Sequence, residues 1–212
     1  MAIELANVRV HNLSKNRFYQ NCFVIQSRET QTAVVIDPGY GYEAVKALIN
    51  EYDLEPKIIL ATHAHFDHIA SVAQLQDDFS NPDFFFHPAD AKIFNGANTH
   101  TLFLKADKIR LPSSWQYLSD GDRFSLNSET INVHHTPGHT PGGCVFQLND
   151  VIFTGDLLLN TPEKQHRLPG FDLENLKSSR AKIFSQFPLE TVVFPGHGKI
   201  TTLFDLNQRV LS

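Results

Sequence analysis

The sequence predicts an α/β chain folded as a four-layer αββα sandwich, with residues 1–212 forming one domain. Three observations carry this. Short apolar runs rich in Val, Ile and Phe fall into two groups, helical spacing appears within each group, and no linker or low-complexity tract divides them. Two strand-rich halves that each carry helices bury their apolar faces best when the sheets pack face to face and the helices cover the outside. A chain of this length can bury roughly 70–75% of its unfolded surface, so it needs no disulfide or metal to build a core.

The elements follow in order. Strands are expected at 22–26, 33–36, 57–61 and 84–86 in the first half, and at 130–133, 144–148, 151–153 and 191–194 in the second. Helices are expected at 42–52, 69–79, 173–187 and 203–211, where apolar residues recur every three or four positions. Residues 95–115 and 157–170 show no clear period and read as loops that meet substrate.

Composition narrows the function. Lys and Arg total 18 against 23 Asp and Glu, a net charge of −5, which argues against a phosphate-binding groove and for a small-molecule substrate. The two cysteines, Cys22 and Cys144, lie in apolar strands, a pattern of buried thiols in a reducing compartment rather than of a disulfide framework. The opening "MAIELANVRVHN" lacks the apolar core of a signal peptide, and no segment reaches the length of a membrane span. A cytoplasmic enzyme without membrane or nucleic-acid partners is expected.

The chemistry concentrates in "THAHFDH", Thr62 to His68, where an apolar strand ends. In extended backbone, side chains two residues apart point the same way, so His63, His65 and Asp67 are expected to converge while His68 faces a neighbouring point. For any single one of the 11 histidines a structural or surface role is the simpler account. For the group it is not, because imidazole and carboxylate are the ligands of zinc and similar ions. Three further strand ends supply candidates: His139 in "HTPGHT", Asp156 in "FTGD" and His197 in "FPGHG". Glycine beside each lets the chain turn closely around a bulky group.

The succession H-x-H-x-D-H, Pro-Gly-His, Gly-Asp and Pro-Gly-His resembles the metallo-β-lactamase fold superfamily, from about Cys22 to Gly198. Within it, "QNCFVI", "VVIDPG", "HTPGHTPGG" and "VIFTGD" are most similar to the short glyoxalase-II-like (hydroxyacylglutathione hydrolase-like) enzymes. The resemblance implies two divalent metal ions, zinc with iron or manganese as substitutes. His63, His65 and His139 would hold one ion, Asp67, His68 and His197 the other, and Asp156 would bridge them. It also implies that Asp37 supports the site from behind without binding metal.

His135 precedes the ligand loop and is read as a second-shell partner of an imidazole. His11, His87, His100 and His134 are read as structural or exposed. His166, in the loop after Asp156, is kept as a substrate contact. Two departures from the glyoxalase pattern stand out. Ala70 and Ser71 replace two glycines, and the loop "LLLNTPEKQHRLPGFD" replaces a Gly-rich segment with a basic glutathione contact, leaving Lys164 and Arg167 to take that role. The chain also carries only one helix after His197, where full-length relatives have a helical glutathione-binding domain.

The implied reaction is hydrolysis of a small ester-like substrate, a thioester of the S-acylglutathione type, by a metal-bound hydroxide. Two ions about 3.5–4 Å apart lower the pKa of a shared water from 15.7 toward ~7 and polarise the carbonyl. Asp67 ligates and orients the attacking group. The alternative is a persulfide dioxygenase of the same fold, with His63, His139 and Asp156 holding one Fe(II).

Overall fold

The structure, a computed structural model, describes residues 2–159 and 170–210. Two sheets lie face to face. The first runs in spatial order through β1 (Ala2–Leu5), β2 (Val8–Leu13), β3 (Cys22–Ser27), β4 (Thr32–Ile36), β5 (Glu55–Leu60), β6 (Asp83–Phe86) and β7 (Gln116–Tyr117). The second is built from β8 (Arg123–Leu126), β9 (Glu129–His135), β10 (Cys144–Leu148), β11 (Val151–Gly155), β12 (Val192–Pro195) and β13 (Thr201–Thr202). Pairing is antiparallel along β1–β4 and β8–β11, and parallel from β4 to β7 and between β11 and β12.

The period of two explains the layers. On β3, Phe23 and Ile25 join the core between the sheets, where Ile131, Phe146, Phe153 and Phe194 meet them from the other side. Cys22 and Val24 point the opposite way, into the core beneath α1 (Tyr42–Glu51) and α3 (Val72–Asp78). On the second sheet, Val145, Ile152 and Val193 turn outward against α6 (Leu173–Gln186) and α7 (Leu203–Val210). Three apolar cores separated by two sheets make the four-layer αββα order that the sequence predicts. Both faces of β3 and β11 are therefore buried, and their sequences read as nearly unbroken apolar runs. Cys22 and Cys144 are free, buried thiols in different cores.

Three expectations need correction. Residues 2–13 and 116–126 carry four strands outside the expected set, because β1 and β8 are short edge strands that each carry a charged residue and bury little, and β7 has only two residues. The expected loop 95–115 follows α4 (Ala91–Asn95) and contains α5 (Ala97–Phe103), whose buried face is only Ala97 and Thr101, while its large apolar residues Leu102 and Phe103 face out. The helix expected over 69–79 is split into α2 (Phe66–Ile69) and α3, so it begins earlier than its apolar period shows. Ala70 and Ser71 stand buried between the two, where the Ser71 hydroxyl donates to the Gly39 carbonyl.

Candidate metal centre

The early helix start changes how "THAHFDH" works. His63 lies just beyond β5, and His65 is still extended at φ −66° and ψ 146°, but Asp67 and His68 already belong to α2. The two-residue period therefore unites His63 with His65 only. Asp67 turns away from them and groups with His68 and His197, while His63, His65 and His139 form a separate set.

Within each of three sets the ligand atoms lie within 4.8 Å of one another: His63, His65 and His139; His63, His68 and Asp156; Asp67, His68 and His197. Asp156 stands between the first and the last. Its Oδ2 is 3.4 Å from His139 Nε2 and 3.8 Å from His197 Nε2, and its Oδ1 is 3.7 Å from His68 Nε2. Asp67 Oδ2 is 3.3 Å from His197 Nε2. His63, His65 and His68 are almost wholly shielded from solvent, whereas 24% of the His197 side chain is exposed, so the pair opens on the Asp67–His197 side.

The site passes a test for metal. His63 Nε2, His68 Nε2 and Asp156 Oδ1 are buried yet have no hydrogen-bond partner among the described residues, a costly state for polar atoms unless something else binds them. His65 Nδ1 and His139 Nε2 face each other at 3.1 Å. Two donors at 2.0–2.1 Å from one tetrahedral ion stand ~3.3 Å apart.

In three of the rings the other nitrogen is held by a neighbouring group, which sets the ring's direction. His68 Nδ1–H donates to Asp37 Oδ2 at 2.9 Å, and His197 Nδ1–H donates to the Phe18 carbonyl at 3.2 Å. His63 Nδ1–H reaches the Thr62 hydroxyl at 3.1 Å, which itself donates to Asp37 Oδ2 at 2.6 Å. In each case Nε2 is left free to ligate. Asp37, buried and at φ 51°, also accepts the Thr62 amide, so one carboxylate orients two imidazoles.

Protonation in the metal-free chain follows burial and neighbours. Burial, with the surrounding imidazoles, pushes His63 well below its ordinary value and His65 down to about 3, so both are neutral. Burial acts the same way on His68, but Asp37, Asp67 and Asp156 outweigh it and raise the imidazole to about 9. Burial would raise Asp67 and Asp156, yet the facing histidines hold both carboxylates below their usual range. The centre thus combines ionised carboxylates with the neutral nitrogens of His63 and His65, and a cation binding at His68 would displace the proton on its Nε2.

The backbone around it is tight. Gly155 has φ 49°, and a Cβ there would run into Thr62. A Cβ on Gly196 would run into Asp156 Oδ1 and His68 Cε1, so only glycine lets β12 pass beside the ligands.

A family profile described as the metallo-beta-lactamase superfamily matches residues 16–197. The chain belongs to that superfamily. Hydroxyacylglutathione hydrolase GloC of Haemophilus influenzae is 33% identical over 197 residues, covering 88% of this chain and 89% of the relative. An uncharacterized protein of Mycobacterium tuberculosis (strain ATCC 25618 / H37Rv) is 34% identical over 197 residues, covering 86% and 88%. The crystal structure of TTHA1623 in a di-iron-bound form superposes with a TM-score of 0.82 at 33% identity, covering 94% of this chain and 98% of that one.

The other sequence candidates fall in different places. His135 Nε2–H donates to the Pro141 carbonyl at 2.9 Å and its ring stacks on His87 at 3.9 Å, so it acts on the backbone of the His139 loop. Lys164, His166 and Arg167 lie outside the described residues. His100, read as structural, stands with its ring 6.1 Å from that of His65 and its Nδ1 buried. Asp90, absent from the sequence candidates, is fully buried beside the ligand loops. Nothing in "HPADA" marks it except a carboxylate just past a strand end.

Proposed function

We propose that this metallo-beta-lactamase superfamily chain hydrolyses a small thioester of the S-acylglutathione type in the cytoplasm, using two divalent ions, zinc or iron or manganese. The observation that carries the reading is the complete pair of ligand triads with Asp156 between them. The likeness to GloC over most of both chains supports the substrate class, and the di-iron form of TTHA1623 supports iron as an occupant besides zinc.

A pair of divalent ions bound here supplies an activated water and polarises the substrate carbonyl. The chain's own residues do the rest. His63, His65 and His139 would hold one ion against a dry wall, so that a substrate carbonyl would be polarised away from bulk solvent. Asp67, ionised and on the open side, accepts a hydrogen bond from the attacking water and holds its lone pair toward the carbonyl carbon. The leaving thiolate, with an ordinary pKa near ~8.5, departs without a general acid. No residue needs to be assigned that role.

The same fold admits the one-iron persulfide dioxygenase chemistry of His63, His139 and Asp156. The intact second triad favours the hydrolase, because a single ion leaves Asp67, His68 and His197 without a task. Thiol release from a thioester panel that includes S-lactoylglutathione, under nitrogen, is compared with oxygen uptake on glutathione persulfide. Thiol release that is equal in air and nitrogen is expected. Oxygen uptake with persulfide and no thiol release would replace the hydrolase by the dioxygenase.

A further inference from the structure

The two ligand loops of the first triad come from different sheets. His63 and His65 follow β5, and His139 lies between β9 and β10. Such loops need a common anchor if three imidazoles are to meet within a few tenths of an ångström. Asp90 occupies that place. It ends the 3-10 turn Pro88–Asp90 that leads out of β6, the strand beside β5, and no part of it reaches solvent.

Its carboxylate is shared between the loops. Oδ2 accepts the Ala64 amide at 2.9 Å, the residue between the two histidines, and also the Thr140 hydroxyl at 2.9 Å, next to His139. Oδ1 accepts the Gly142 amide at 2.6 Å. A Cβ on Gly142 would strike the carboxylate, so the far loop is drawn in as closely as its backbone allows. A buried carboxylate with three donors and no Lys or Arg paired with it among the described residues is expensive to keep unless its geometry matters.

We propose that Asp90 is a positioning residue for the first metal site alone, whereas Asp37 orients one imidazole of each site. Asp37 holds His68 directly and His63 through Thr62. Asp90 touches no ligand imidazole; it sets the backbone that carries His65 and His139. Loss of Asp90 therefore loosens the His63–His65–His139 set and leaves Asp67, His68 and His197, tied to Asp37 and Phe18, in place. The inference rests on the two-metal reading of the site, and not on the identity of the substrate.

The test is a competition titration of the metal-stripped full chain with zinc, read as two binding steps and repeated with cobalt for the spectrum of each site. Asp90→Ala and the milder Thr140→Val are expected to weaken one step, by about 10–100-fold for Asp90→Ala, and to leave the other within about twofold. Asp90→Asn, which keeps one acceptor oxygen in place of two, is expected to fall between. If Asp90→Ala does not fold, Thr140→Val and Gly142→Ala, which disturb the same clamp from the other loop, carry the comparison. Equal weakening of both steps, or none, in the folded variants would overturn the inference. A wild-type chain that binds no metal would overturn the two-metal reading itself, a result distinct from either.

Discussion

His68 Nδ1 lies 2.9 Å from Asp37 Oδ2, and neither side chain reaches solvent. This pairing fixes which nitrogen of His68 faces the centre, and Asp37 holds the Thr62 amide and hydroxyl as well. In Asp37→Asn the amide group meets at least one donor head-on. Metal affinity at the Asp67–His68–His197 site is expected to fall about 10–100-fold, with kcat falling alongside and the circular dichroism spectrum unchanged. A titration with unaltered affinity would show that the imidazole keeps its direction without the carboxylate.

Gly196 separates steric from conformational effects. A Cβ there would run into Asp156 and His68, while one on Gly41 would meet nothing within 4 Å. Gly196→Ala is expected to lose bound metal and at least about tenfold in turnover, and Gly41→Ala to keep both. Elemental analysis of the two purified variants makes the comparison. Metal content equal to wild type in Gly196→Ala would contradict the tight packing of β12 against the ligands.

Core position should dominate stability. Phe153 is fully buried between the sheets against Phe23 and Phe194, with ring centroids 5.2 and 4.9 Å away. Phe204 on α7 is half exposed. Phe153→Ala is expected to cost about 3–5 kcal/mol by urea unfolding, and Phe204→Ala no more than ~0.5. Comparable losses would mean that α7 packs against something more than its own core.

Acid should act through His87. Burial first, then the stacked His135 ring, lowers His87 from its ordinary 6.5 to about 4. Between these values the unfolded chain holds a proton that the folded chain lacks, so this residue makes stability fall as pH drops from about 6.5 to about 4. His87 Nδ1 also accepts the Ala89 amide, a bond that protonation removes. The metal-loaded His87→Asn variant keeps an acceptor but does not titrate, and its stability should fall less over that window. An identical slope in chemical denaturation at each pH would assign the loss to other groups.

Much of this centre was legible because ligands must be polar where strands end. The seven residues that meet in the structure are the seven that the spacing and the resemblance single out. What the sequence hid was how they are held. Period-two reasoning put Asp67 with His63 and His65, because nothing before Ile69 announces a helix, and the turn at Phe66 reassigns it to the other set. The strands at β1 and β8 escaped because short edge strands bury little and carry charge. Asp90 escaped because a lone carboxylate after a strand looks like any helix cap, and its three donors come from 26 to 52 residues away.

The most direct test of the two-centre account is the number of metal ions per chain in protein that hydrolyses thioesters at its full rate. Two equivalents are expected, with one lost in His197→Ala, because that change opens only the Asp67–His68–His197 set. Full activity with a single equivalent, undiminished in His197→Ala, would contradict it.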